Sequence, residues 1–287
     1  MNDQAEALRH LVSTASPDLA KTTRIITITS GKGGVGKSNF SLNFAMALQK
    51  RGYSVLVFDA DISFANIDVL LGTPAQYNLI HLLKGEKSIW DIIQTGPNGL
   101  QFIAGGSGFK DLVRLSDQEI EYFAQQIGKL NGHVDFIVFD TGAGLSKETV
   151  RFITAADETI VVTTPEPTSI TDAYALIKMV KSMGHEVTFR LIVNRVADDR
   201  EGRQTSENMR QVASKYLGID LPVLGYIPDD TSVSKSVKRQ TPLSVAFPDS
   251  AAARGIDRIA ASFLLERTTQ STRGVSGFLN RIKKLWS

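Results

Sequence analysis

The residues best placed to do chemistry form one short run, Gly31-Lys32-Gly33-Gly34-Val35-Gly36-Lys37-Ser38. It fits the pattern G-x-x-x-x-G-K-[ST], whose glycines let the backbone turn tightly enough for its N–H groups to converge on phosphate oxygens. A helix starting there adds the positive end of its dipole. Gly33, Gly34, Val35, Gly36 and Asn39 then surround the phosphates. Lys37 reaches the outer ones, and the Ser38 hydroxyl is placed to ligate Mg²⁺. The bland alternative is a glycine-rich turn with no ligand. Lys32 stands where the pattern asks for nothing, and by residue type alone it is a solvated lysine. Two other runs end in carboxylates. Val55-Leu56-Val57-Phe58 leads into Asp59-Ala60-Asp61, and Phe136-Ile137-Val138-Phe139 leads into Asp140. A carboxylate directly after a buried strand lies at the carboxyl edge of an α/β sheet, where ligands bind. Either Asp59 or Asp61 alone also reads as a solvated helix cap.

Placing these groups requires a strand before each and a helix after the glycine loop. Ile25 to Thr29 is a β-branched run suited to a buried strand. Phe40, Phe44, Met46, Ala47 and Leu48 follow the loop as a helix ending near Gly52. Further strands are predicted at Gly99–Ala104, Phe136–Phe139, Thr159–Thr163, Phe189–Val193 and Val223–Tyr226. Helical patterns fall at Gln118–Leu130, Thr171–Met183 and Thr205–Leu217. Alternating strands and helices imply an α/β fold: a mostly parallel twisted sheet with helices on both faces. One domain is expected over 24–267. Residues 1–14 read as a separate helix, with Ala5, Leu8, Leu11 and Val12 at helical spacing and 15–23 as its linker. Residues 268–277 read as a Ser/Thr/Gly linker, and 278–287 as a terminal amphipathic helix.

Composition removes several classes of chemistry. The chain has 287 residues, 32 basic against 30 acidic, and no cysteine. Disulfides, thiolate-bound iron–sulfur clusters, cysteine-type zinc sites and cysteine nucleophiles are therefore excluded. The four histidines are scattered without ligand spacing. The near-neutral balance argues against a chain that coats nucleic acid. Lys235, Lys238 and Arg239 form a modest basic cluster that reads as a solvated helix face, so DNA is not an expected partner. No secretory signal or membrane-spanning run is visible, which suggests the cytoplasm.

The run from Ser30 to Ser38, with its second-position lysine, resembles the deviant phosphate loop of the MinD/ParA family of dimeric P-loop ATPases. The resemblance covers about Arg24 to Arg267. It implies a nucleotide-sandwich homodimer formed with ATP, in which Lys32 reaches the partner's nucleotide and acts with Lys37 on transition-state charge. Val57-Phe58-Asp59-Ala60-Asp61 looks like the family's first switch, implying that Asp61 positions the attacking water and Asp59 assists the Mg²⁺ shell. Phe136 to Gly144 looks like the second switch, with Asp140 holding Mg²⁺ through water. Asn194 matches the family's adenine contact, and Pro228 and Asp229 its adenine-side loop. Glu166, in Pro165-Glu166-Pro167-Thr168, matches the segment that meets the partner's nucleotide. ATP, ADP and Mg²⁺ are the implied ligands.

The two ends narrow the resemblance. Asp3-Gln4-Ala5-Glu6-Ala7-Leu8-Arg9 matches the start of the flagellar-number regulators known as FlhG, YlxH or FleN. That likeness implies that Gln4, Leu8 and their neighbours engage the signal-recognition-type GTPase FlhF, and that flagellar C-ring proteins are further partners. In the tail, Phe278, Leu279, Ile282, Leu285 and Trp286 share one helical face, with Lys283 and Lys284 behind it. A basic amphipathic helix of this kind can lie on an anionic membrane surface, so ATP-dependent attachment to the inner face of the cell membrane is expected. The competing reading is a helix docked on the protein's own core. A MinD-type division regulator, a ParA-type partition ATPase, a small-molecule kinase or ligase, and a non-hydrolysing adaptor are the alternatives in function.

Overall fold

The computed structural model describes residues 22–61, 65–106, 117–266 and 274–286. The expected N-terminal helix, with Gln4 and Leu8, lies outside the described residues. Among the described residues, eight strands form one sheet in the order β3-β4-β2-β5-β1-β6-β7-β8. They are β1 (Arg24–Thr29), β2 (Val55–Ala60), β3 (Gln94–Thr95), β4 (Gln101–Ile103), β5 (Phe136–Thr141), β6 (Glu158–Thr163), β7 (Phe189–Val196) and β8 (Val223–Pro228). All pairings are parallel except β3 against β4. β1, β2, β5 and β6 are buried along their whole length, as near-continuous apolar strands covered on both faces must be.

The helices are α1 (Lys37–Gln49), α2 (Ile67–Leu71), α3 (Leu79–Leu83), α4 (Ile89–Ile92), α5 (Asp117–Gly128), α6 (Lys147–Ala155), α7 (Pro167–Ser182), α8 (Asp199–Leu217), α9 (Thr231–Lys238), α10 (Leu243–Ala246), α11 (Ala251–Leu265) and α12 (Gly274–Trp286). Both α7 and α8 begin earlier than their apolar periodicity suggests. Pro167 starts α7, and the Asp198 side chain accepts from Glu201 N to cap α8. Strand alternation sends Ile26, Ile28, Val55 and Val57 to one face, packed with Phe40, Phe44 and Phe263 of α1 and α11. Ile25, Leu56, Phe58 and Phe139 go to the other. Thr23, expected in the linker, belongs to the fold: it is buried, and its hydroxyl donates to Val134 O at 2.6 Å.

The tail departs from the expectation. Helix α12 starts at Gly274, inside the stretch read as linker, and packs between α5 and α6. Phe278 and Ile282, expected on lipid, are buried in the core of the second face together with Val275. The Phe278 ring stacks on Phe139 at 5.1 Å and on Phe152 at 6.4 Å. Arg281 Nη1 donates to Thr154 O at 2.9 Å and Ala156 O at 3.2 Å, and Lys283 pairs with Glu121. The physical reason is that α5 and α6 leave an apolar furrow that some side chains must fill. Burying an apolar side chain stabilises by about 1.5–3 kcal/mol, so three of them hold α12 firmly. Lys284 is exposed, and the side chains of Leu285 and Trp286 lie outside the described set.

Candidate functional site

The glycine loop folds where β1 ends and α1 begins. Gly36 caps α1 in the left-handed region (φ 91°), with no side chain satisfying the first-turn N–H groups. An uncapped helix start with converging amides is an anion site. That backbone conformation at Gly36 requires glycine, and a Cβ there would also meet Asn194 Nδ2 at 2.4 Å and push that side chain aside. The loop opens into a pocket of about 670 Å³ lined by Gly33, Gly34, Lys37, Ser38, Asn39 and Asp61. That volume is in the range of nucleotide-sized ligands.

The carboxyl ends of β2 and β5 bring Asp59 beside Asp140 in register. Lys37 Nζ lies 2.9 Å from Asp140 Oδ1, and the Ser41 hydroxyl donates to the same oxygen at 2.8 Å. Asp140 Oδ2 is buried with no hydrogen-bond partner among the described residues. Asp59 is buried too; its oxygens accept from Asn66 N (2.8 Å), Ile67 N (3.0 Å) and Asp61 N (3.1 Å). Burial, and then the Asp140 charge, push the Asp59 carboxyl up to about 7 against the pull of those three amides. Two adjacent buried carboxylates, an orphaned oxygen and the Ser38 hydroxyl suit a hard divalent cation. No group of three or more His, Cys, Asp or Glu is arranged as a metal cage among the described residues. Mg²⁺ here would draw its remaining ligands from phosphate and water.

At the carboxyl end of β7, Asn194 Nδ2 donates to Val35 O at 2.7 Å, which ties β7 to the loop. Asn194, Pro228 and Asp229 share a narrow crevice with Asn39. The next residue, Arg195, adopts φ 58°, and Asp230 caps α9 by accepting from Ser232 N. On the far rim, Lys32 Nζ lies 3.0 Å from Glu166 Oε2 and 3.0 Å from Thr168 Oγ1, all within the one chain. Lys32 is not among the residues lining the pocket of its own chain. Gly144 N donates to Ser30 O at 2.8 Å, pinning the segment after β5 to the start of the loop.

The phosphate loop, Asp59, Asp61, Asp140, Asn194, Pro228 and Asp229 therefore gather along one sheet edge. Sequence reasoning passes over Ser41, although its position four residues after Lys37 puts it on the same helix face. It also passes over Glu148 and Thr149, which line the pocket from the first turn of α6. The Ser146 cap before them, which accepts from Thr149 N, is the signal that could have placed them.

The sequence profile of the "CobQ/CobB/MinD/ParA nucleotide binding domain" matches residues 26–243. The chain is 40% identical to the flagellum site-determining protein YlxH of Helicobacter pylori, covering 99% of both chains. It is 37% identical to the antiactivator FleN of Pseudomonas aeruginosa, covering 83% of this chain and 85% of that one. Among solved structures, the septum site-determining protein MinD of Pyrococcus horikoshii, complexed with Mg-ADP, superimposes with a TM-score of 0.69 at 26% identity. That match covers 83% of this chain and 94% of the other.

Proposed function

Because the chain belongs to the CobQ/CobB/MinD/ParA nucleotide-binding family and is an ATPase, we propose that it is an ATP-gated homodimeric switch that attaches to the membrane and sets flagellar number and placement. Lys32 carries this reading. It sits on the rim, held by Glu166 and Thr168, outside the pocket of its own protomer. An ammonium poised there can cross a closed interface to a partner's nucleotide.

In this reading the amides of Gly33 to Ser38 hold the phosphates, and Lys37 exchanges Asp140 for the outer phosphate oxygens. Ser38, with Asp140 and Asp59 behind it, would hold Mg²⁺, which would supply neutralisation of phosphate charge. Asp61 orients a water whose oxygen bonds to the γ-phosphorus as the bond to the bridging oxygen of ADP breaks; both of the water's protons leave with inorganic phosphate. Lys32 of one protomer stabilises the charge developing on its partner's nucleotide. Glu166, released from Lys32, turns to the partner's nucleotide, while Asn194, Pro228 and Asp229 hold the adenine.

Membrane attachment requires α12 to leave its furrow, because Phe278 and Ile282 are buried there. Two tails on one dimer bind lipid far better than one, so ATP-driven pairing offsets the loss of docking. The likeness to YlxH extends over 99% of the chain and so takes in both end segments. It supports the flagellar assignment, with Gln4 and Leu8 reaching FlhF and C-ring proteins as further partners. The test is gel filtration of Asp61→Ala with ATP and with ADP, alongside sedimentation with anionic liposomes. A dimer and lipid binding with ATP alone are expected, and one mass under both nucleotides would contradict the reading.

A further inference from the structure

On the sheet face opposite α12, the geometry points to a second binding site: a groove for an acidic, leucine-bearing peptide segment of a partner protein. The groove has a volume of about 600 Å³ and lies between the second half of α1 and the corner joining α10 to α11. Its floor presents the apolar side chains of Met46, Ala47 and Ile256, with the polar Asn43 and Ser244 beside them. Its rim carries the exposed cations Lys50, Arg254 and Arg258. The rim carboxylate of Asp257 is already engaged: Arg51 grips it with two bonds of 2.7 and 2.8 Å. Asp249 is the other acid there. Three cations against that one acid leave the mouth positive.

Apolar side chains under a positive rim select a chemistry. Nucleic acid would use the cations but gain nothing from Met46 and Ile256, since its phosphates present no apolar surface. A peptide carrying carboxylates beside leucines satisfies both: the anchors leave water while the charges meet the rim. The groove also connects to the nucleotide pocket. Asn43, buried between them, accepts from Ser244 N of α10 at 2.8 Å and donates to Asn39 O at 2.8 Å. Asn39 lines the nucleotide pocket. A ligand that displaces α10 therefore pulls on the first turn of α1, and by linkage nucleotide must alter the peptide's affinity by the same factor. Because α12 packs on the other face, the groove stays accessible whether the tail is docked or on lipid.

The test uses the full chain and a fluorescein-labelled peptide of Glu-Glu-Leu repeats, followed by fluorescence anisotropy with ADP and with a non-hydrolysable ATP analogue. Binding to the natural sequence is expected. It should weaken about tenfold or more in Arg254→Glu/Arg258→Glu, and severalfold in the single exposed variant Lys50→Glu. Replacing leucine by serine in the peptide should also weaken it about tenfold or more. No binding by the natural sequence would overturn the proposal. So would equal binding of the serine peptide, equal binding by all three proteins, or a short DNA duplex that displaces the peptide at comparable concentration.

Discussion

Removing the Arg281 guanidinium should loosen the tail from its furrow more than it weakens the tail's attraction to lipid. In the docked state Arg281 Nη1 donates to the carbonyls of Thr154 and Ala156 at 2.9 and 3.2 Å. Hydrogen bonds from a charged donor contribute about 1.5–3 kcal/mol, and two partly buried carbonyls lose their partner with it. On the membrane the same residue is one cation near an anionic surface, worth about 1 kcal/mol. Arg281→Ala therefore favours the lipid-bound state by roughly 0.5–2 kcal/mol, or about 2- to 30-fold, at about 1.4 kcal/mol per tenfold. Sedimentation with anionic liposomes in the absence of nucleotide reads this directly. Glu121→Gln is the companion variant, since it alters the furrow and leaves the tail intact. Its pair with Lys283 is solvent-exposed and screened by water, so the rise should be smaller than that of Arg281→Ala. The two readings differ in sign. If α12 were already undocked, Arg281→Ala would bind about fivefold less lipid, as loss of one cation dictates, and that fall would refute the competition between furrow and membrane.

Other outcomes follow from the site. Lys32→Ala should lose both hydrolysis and ATP-dependent dimerisation; a fully active monomeric variant, measured by phosphate release and light scattering, would contradict a role in trans. Ser41→Ala removes one of the two donors to Asp140 Oδ1 and should slow hydrolysis with little change in melting temperature, since an ordinary buried hydrogen bond contributes about 1 kcal/mol. Asp59 sets a pH dependence in the nucleotide- and Mg²⁺-free protein. Its carboxyl is raised from 3.8 to about 7, so the folded chain keeps a proton that the unfolded chain releases. Stability should therefore fall as pH rises between about 4 and 7. Asp59→Asn should flatten that slope in thermal melts, and an unchanged slope would mean the carboxyl titrates normally. A peptide of residues 1–14 should stimulate GTP hydrolysis by FlhF, and no stimulation at saturating peptide would detach the flagellar assignment from Gln4 and Leu8.

What the sequence discloses follows the physics of each element. The phosphate loop is legible because its requirements are local: glycines to turn, a lysine, a hydroxyl, and a helix behind them. Asp59 and Asp140 are legible because a buried strand that ends in a carboxylate has one place to go in a parallel sheet. The tail is not, because Phe278 and Ile282 on one helix face declare an apolar partner without naming it. Lipid and a furrow between α5 and α6 impose the same periodicity. Strand β3 has two residues and is antiparallel, too short to leave an alternation. Glu158 is the clearest illegible case. It is fully buried between Arg24 and Arg190 at the starts of β1, β6 and β7. Charges at strand starts read as solvent-facing, and only the tertiary pairing of distant strands brings these three together.

The most direct measurement of the central claim is the mass of Asp61→Ala by sedimentation velocity with Mg-ATP, compared in parallel with Asp61→Ala/Lys32→Ala. Slowed hydrolysis should trap the first protein as a dimer with ATP and leave it a monomer with ADP. Loss of the rim ammonium should leave the second monomeric with either nucleotide. Equal dimer fractions in the two proteins, or a single monomeric boundary for Asp61→Ala with ATP, would contradict an ammonium lent across a shared nucleotide.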